Sequence, residues 1–354
     1  MLQLERRRAP SRLMLATTPI IAVILTMLAG GLLFYLMGKN PIEAIRIIFI
    51  DPFLSPYTRS QLLVKAGPLI LIATGLALGF RAGIWNIGAE GQYVMGAIAG
   101  GAVGLAFWGI ESPFVLPLMI LAGALGGFLW AMIPAILKIK FNANEILVSL
   151  MLVYVAFNLL GAMVTGPLRS PVGFNFPESR NFQEYASAKL PILWEAAGVH
   201  LGVLFAFAAV VLAYVILERH VLGFNIRLSG QAPRAAKFAG INPSAMIAIC
   251  LGISGAFAGL AGLFEVTGPA GKLTTNFPVG YGFTAIIVAF LGRLHPVGIV
   301  LAGLVMALTY IGGETAQFLL SIPAAAIRVF QGMMLFFLLA LDVFVAYRPV
   351  WRAR

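Results

Sequence analysis

The stretch best equipped for chemistry inside this apolar chain runs from Phe80 to Met95, FRAGIWNIGAEGQYVM. In it Gly83, Gly88 and Gly91 stand beside Asn86, Glu90 and Gln92. Glycines loosen a helix, and backbone groups freed at membrane depth survive only where they line a cavity or are buried in protein. A polar side chain in the bilayer marks a functional site by default, and interrupted helices often build the solute sites of transporters. These six residues are therefore candidates for a substrate pathway. The competing reading is structural: 81–87 is a turn at the membrane surface and Glu90 caps the helix that follows. Asn158 is a seventh candidate, deep enough in its apolar run to bond a polar solute or a neighbouring helix. Asn144 and Glu145 open that run and read as an N-cap and a first-turn acid.

Other reactive settings fail on spacing. Gly268-Pro-Ala-Gly-Lys272-Leu273 resembles a phosphate loop, but position 266 is Val and Lys272 is followed by Leu, so the glycine cradle and the magnesium hydroxyl are missing. His200, His220 and His295 lie in separate loops without the spacing of a metal site. There is no G-x-S-x-G or comparable nucleophile setting. The reading is of a chain that is no enzyme, hydrolyses no ATP, and takes neither metal nor cofactor.

The elements that must position these residues are membrane helices. The 354-residue chain is 60% hydrophobic and 10% charged, with mean hydropathy +0.96. Soluble domains carry roughly 25% charged residues. The net charge of +11 sits in short clusters between apolar runs, which orients a membrane protein and makes no surface for nucleic acid. Cys250, the single cysteine, forms no intrachain disulfide and reads as a small core residue. With about 20 apolar residues per crossing, spans fall near 14–38, 61–80, 87–109, 114–137, 145–166, 201–217, 244–264, 281–292, 296–313 and 327–347. The eighth is too short to cross alone and is expected to be broken, tilted or merged with the ninth. The first, behind Arg6-Arg7-Arg8 and Arg12, is too long for a cleaved signal segment. With both termini in the cytoplasm, most of the 24 Lys and Arg fall inside, and Glu43, Asp51, Glu111, Glu178, Glu184, Glu195, Glu265 and Glu314 fall outside. The expectation is an all-α polytopic bundle of about ten spans, one permease domain over 1–354. Glycines at four-residue spacing, such as Gly123/Gly127 and Gly255/Gly259, let its helices approach closely.

Two long loops remain. Residues 167–200 form an external loop that would cover a pore mouth or meet an external protein. Residues 218–242, ERHVLGFNIRLSGQAPRAAKFAGIN, form a basic cytoplasmic loop holding a short amphipathic helix. Pro233 suits its first turn, Ala235, Ala236, Phe238 and Ala239 make an apolar patch, and Gly240 is its stop. Such a segment docks in a protein groove or lies on anionic lipid; the small alanine-rich face favours the groove.

The run LGFNIRLSGQAPRAAKFAGIN resembles the coupling segment of permease subunits in binding-protein-dependent ABC importers, the family handling ribose, branched-chain amino acids and nucleosides. RAGIWNIGAEGQYVMGA, FNANEILVSLMLVYVA and GFTAIIVAFLGRLHPVGI resemble its nucleoside and simple-sugar branch. The resemblance covers nearly all of 60–345. It implies a permease of the bacterial inner membrane carrying a nucleoside or simple sugar, a small polar solute in either case. It also implies a cytoplasmic ATP-binding subunit, a second permease subunit similar to this one, and an external solute-binding lipoprotein or periplasmic receptor. Carried over, Gly223, Arg227, Gly230, Ala235, Ala236, Gly240 and Ile241 match the coupling pattern, and Gly83, Asn86, Gly88, Glu90, Gly91 and Gln92 the glycine-rich membrane motif. Ribose-type relatives carry an aspartate-containing G-I-D-L-S pattern where this chain has Gly83-Ile-Trp-Asn-Ile87, which argues against a plain ribose permease. The alternative from a different class is a secondary transporter or channel for a small polar solute.

Overall fold

The computed structural model describes residues 2–6, 11–195 and 198–351. Of the basic residues read as cytoplasmic, Arg7, Arg8, Arg352 and Arg354 lie outside them. Among the described residues, eight helices are long and apolar enough to cross a membrane: α1 (Arg12–Leu36), α4 (Pro56–Arg81), α6 (Val115–Phe141), α7 (Glu145–Thr165), α8 (Leu201–Arg219), α11 (Pro243–Thr267), α13 (Pro296–Leu320) and α14 (Ala324–Ala346). The third and eighth predicted spans are the two that fall short. The third is α5 (Ala89–Ala106), 18 residues diluted by Glu90 and Gln92. The eighth is α12 (Tyr281–Leu291), 11 residues, or about 16 Å of helix against a hydrocarbon core of about 30 Å. The bundle thus keeps the predicted order of ten apolar elements, with the interruptions at α5 and α12.

Two differences from the sequence reading concern ends. Residues 41–54, unassigned by hydropathy, form α2 (Pro41–Phe49) and α3 (Asp51–Leu54), and Asn40 accepts the Ile42 and Glu43 amides to start α2. Glu314, read as a loop acid, lies inside α13 and pairs with Lys65 of α4 at 3.2 Å. Its partner on a neighbouring helix explains why a carboxylate continues the span.

The termini meet. Strand β1 (Leu2–Arg6) pairs antiparallel with β4 (Tyr347–Trp351), so both ends lie on one face of the bundle, the face that also carries α9 (Val221–Gln231) and α10 (Pro233–Phe238). The 167–200 segment occupies the opposite face. It holds a 3-10 turn (Phe182–Glu184) and the short strands β2 (Ile192–Trp194) and β3 (Val199–His200).

The core is built on α11, which packs against α4, α5 and α6. Side-chain-free crossings allow this. A Cβ on Gly96 of α5 would fall 2.1 Å from the Gly259 Cα of α11, and one on Gly127 of α6 2.1 Å from the Gly255 carbonyl oxygen. The four-residue glycine spacing therefore serves one three-helix contact, where close backbones replace side-chain interlock.

Candidate functional site

Arg81, the last residue of α4, donates from Nε to the Leu294 carbonyl in the α12–α13 turn at 2.9 Å. The end of α4 and that turn are therefore level. From the turn, α12 rises about 16 Å, so its first residue, Tyr281, sits roughly halfway through the bundle. There it meets the start of α5. Between Arg81 and Ala89 the chain turns at Gly83, whose φ of +73° suits a residue without Cβ. It then climbs unpaired by helix bonds through Ile84–Ile87.

Each predicted residue of this break has a partner. Glu90, fully buried, accepts from the Gly280 amide at 2.9 Å and the Gly282 amide at 2.5 Å. It thus satisfies orphan donors at the N-terminus of α12, the positive end of that helix dipole. Glu90 does cap a helix, but that helix is α12, about 190 residues away, rather than its own. Asn86 and Gln92 exchange two amide bonds, at 2.8 and 3.0 Å. Asn86 also donates to the Ser254 hydroxyl of α11 at 2.9 Å and accepts the Gly88 amide at 3.1 Å. Gly88 and Gly91 allow α7 to approach: a Cβ on Gly88 would lie 2.8 Å from the Ser149 Cβ and carbonyl oxygen, and one on Gly91 3.0 Å from the Val153 Cα.

Asn158 stands apart. It is exposed on the outer face of α7 and donates to the Tyr154 carbonyl one turn back at 2.8 Å. The six residues of the break cluster and the seventh does not join them. Sequence reasoning missed the aromatic wall beside Glu90. Tyr93 stacks on Phe277 (ring centroids 5.2 Å apart), Tyr281 meets Tyr93 and Tyr310 edge-on, and Tyr310 bonds Thr284 at 2.8 Å. The hydroxyls of Tyr93 and Tyr281 are buried with no protein partner, which leaves polar capacity at the level of the break.

The second site lies at the face bearing α9 and α10. The one amphipathic helix expected over 218–242 is two helices. Residues 221–231 carry five apolar side chains, of which Val221 and Phe224 face outward while Leu222 and Ile226 pack against α4 and α11. Gly223 and Gly230 are required by contact: a Cβ would fall 2.2 Å from the Ile216 carbonyl oxygen and 2.1 Å from that of Arg81. Arg227 and Arg81 both bind Glu218, at 3.2 and 3.1 Å. Glu218 therefore joins α9 to α4, and Arg81 carries the connection on to the α12–α13 turn. Opposite charges at span ends on one face, Arg81 and Glu218, were the available signal for this node.

Pro233 opens α10 and Gly240, at φ +79°, follows it, as expected. Ile241 donates back to the Ala236 carbonyl and packs beside Met246 and Leu251. The patch itself divides. Ala235 and Phe238 face outward, Phe238 being 95% exposed, whereas Ala236 is 3% exposed. Ala236, expected to meet a partner, instead turns inward and seats the helix.

Residues 58–339 match the family described as "Branched-chain amino acid transport system / permease component". The chain belongs to this family. It is the permease component of an ABC transport system and a multi-pass membrane protein, a family whose members work with separate ATP-binding and solute-binding components. Among relatives, the permease is 36% identical to the "Glucose ABC transporter permease protein TsgB13" of Haloferax volcanii over 98% of this chain and 93% of that one. It is 31% identical to the "Guanosine ABC transporter permease protein NupP" of Bacillus subtilis (90% and 91% covered). It is 27% identical to the "Nucleoside ABC transporter permease protein NupB" of Lactococcus lactis subsp. cremoris (90% and 89%). No solved structure matches the permease. Among the described residues no group of His, Cys, Asp or Glu is placed to hold a metal ion.

Proposed function

We propose that this permease forms, with a second similar permease subunit, the membrane path by which a nucleoside or simple sugar is imported across a bacterial inner membrane. An external lipoprotein or periplasmic receptor delivers the solute, and a cytoplasmic ATP-binding subunit docks on 218–242. The observation that carries this reading is the unbroken chain of contacts from α10 to the interrupted helices. The exposed Phe238 belongs to a helix seated by Ala236, next to α9; α9 rests through Gly230 on the Arg81 backbone; and Arg81 holds the turn under α12. A displacement imposed at α10 reaches the α5–α12 break through packed backbone, which moves as a unit.

In this reading Glu90, Asn86 and Gln92 hold the break in shape, and the tyrosine wall above them supplies polar groups to the path. Nucleoside and sugar are the solutes named for the relatives, and both are hydroxyl-rich molecules that such a wall can bond. The test is the complex co-purified with the permease from its native membrane and sealed into liposomes. ATP-driven uptake of guanosine or glucose is expected, with no ATP hydrolysis by the permease alone. Uptake that ignores ATP and follows a proton gradient would establish the secondary transporter instead.

A further inference from the structure

The face opposite α9 and α10 carries a cleft of about 150 Å³ where the outer ends of α4, α8 and α11 meet the 167–200 segment. Its lining includes Gln61 and Val64 of α4, Lys189 and Leu190 of the long loop, His200 at the start of α8, and Thr267 at the end of α11. His200 is 6% exposed. Its Nδ1 accepts the Gly202 amide at 3.2 Å, which places the ring proton on Nε2. That Nε2 is buried and has no acceptor in the protein. Buried polar groups are nearly always paired, so the donor is set for a ligand or a water. His200 also borders a void of about 10 Å³ shared with Glu265, the size of a single water.

The lining selects a chemistry. No carboxylate is among the described residues that line the cleft; Glu265 shares only the small void with His200, so the cleft itself offers a cation no ligand. Burial pushes the His200 imidazole down to about 4, which leaves it a neutral donor at physiological pH. One exposed lysine is a weak anion trap beside the paired guanidinium forks that hold phosphate and carboxylate groups. What remains is a neutral donor, the Gln61 amide able to donate and accept, the Thr267 hydroxyl, whose proton goes to the Leu263 carbonyl and which is left as an acceptor, and apolar walls. This set matches a ring with hydroxyls on its edge and C–H groups on its face.

We infer that the cleft is an outer binding site for an uncharged, hydroxyl-rich solute, a sugar ring or the ribosyl part of a nucleoside, which it holds before the membrane path. The site rests on the proposed transport reading and deepens it.

The experiment places the full chain in lipid nanodiscs and measures binding of guanosine and of D-glucose by saturation-transfer NMR and radioligand titration. Wild type is compared with His200→Phe, Gln61→Leu and Lys189→Met; the last two alter only partly exposed or exposed side chains and keep the test valid if His200→Phe fails to fold. At least one probe is expected to bind and to lose tenfold or more in affinity in His200→Phe and Gln61→Leu. Inorganic phosphate is expected not to displace it. Equal binding by all variants, binding by neither probe, or displacement by phosphate would each overturn the site. ATP-driven uptake by the co-purified complex is scored separately. If uptake persists with unchanged KM in Gln61→Leu and Lys189→Met, the site is wrong and the transport reading stands; if no uptake occurs, the transport reading fails by itself.

Discussion

Glu90 and Asn86 spend every hydrogen bond on the protein, so their loss should be felt first as loss of structure. Glu90→Ala strands the Gly280 and Gly282 amides, and a buried donor left unpaired costs about 1–3 kcal/mol. Glu90→Gln keeps the shape but sets an NH2 against one of those amides, so it should retain part of the stability. The expected order of thermal midpoints in detergent is wild type, then Glu90→Gln, then Glu90→Ala, with uptake falling in the same order. A Glu90→Ala protein as stable and active as wild type would show that the α5–α12 junction is held by other contacts. Asn86→Ala strands Gln92 and the Gly88 amide and should be destabilised to a similar extent. Asn158→Leu breaks only a bond to its own helix, so it should leave the stability within about 0.5 kcal/mol of wild type and the thermal midpoint nearly unchanged. A change in uptake without a change in midpoint would then place Asn158 on the solute path or against the second permease.

Between elements, the question is which side chains of α9 and α10 serve a partner and which serve this chain. Phe238 touches little of its own protein at 95% exposure, so Phe238→Asp should leave expression and thermal midpoint intact while weakening capture of the ATP-binding subunit tenfold or more. Ala236→Asp buries a charge at a site 3% exposed and should lower the midpoint itself. Quantitative pull-down beside thermal unfolding separates the two; identical behaviour of the two variants would defeat the assignment. Gly230→Val drives a side chain into the Arg81 backbone and should lift α9, cutting ATPase stimulation by solute while the complex still assembles. In the Arg81–Glu218 pair, side chains are only 16% and 28% exposed, so a double-mutant cycle should give a coupling of about 0.5–3 kcal/mol.

Most of these elements are visible in the sequence because bilayer crossing is a matter of length and hydropathy, and cap residues such as Asn144 and Pro233 mark their own positions. The break at 83–92 is visible because glycines and polar residues interrupt that pattern. Its partner is not: nothing local to Glu90 points to Gly280 and Gly282. The same holds for α9: Leu222 and Ile226 meet α4 and α11, and nothing local to 221–231 points to those partners. Tertiary contacts between distant segments are the part that composition and spacing cannot carry.

For the whole molecule, everything above depends on which way the bundle faces. The pairing of β1 with β4 puts both termini with α9 and α10 on one face; the basic residues Arg81, Lys138, Lys140, Arg219 and Arg293 lie at or next to span ends on that face, and Arg227 on α9. The positive-inside rule predicts that this face is cytoplasmic. The chain supplies its own background for testing this. Cys250 is its single cysteine and is fully buried, so a membrane-impermeant maleimide should leave the native protein unlabelled. Phe174 and Phe238 are 94% and 95% exposed on opposite faces, so each tolerates cysteine without disturbing the core. In intact cells or right-side-out vesicles Phe174→Cys should label at once, and Phe238→Cys only after the membrane is opened. Labelling in the reverse order would put α10 outside, beyond the reach of any ATP-binding subunit. The contact chain from α10 to the α5–α12 break would then have to serve an external partner.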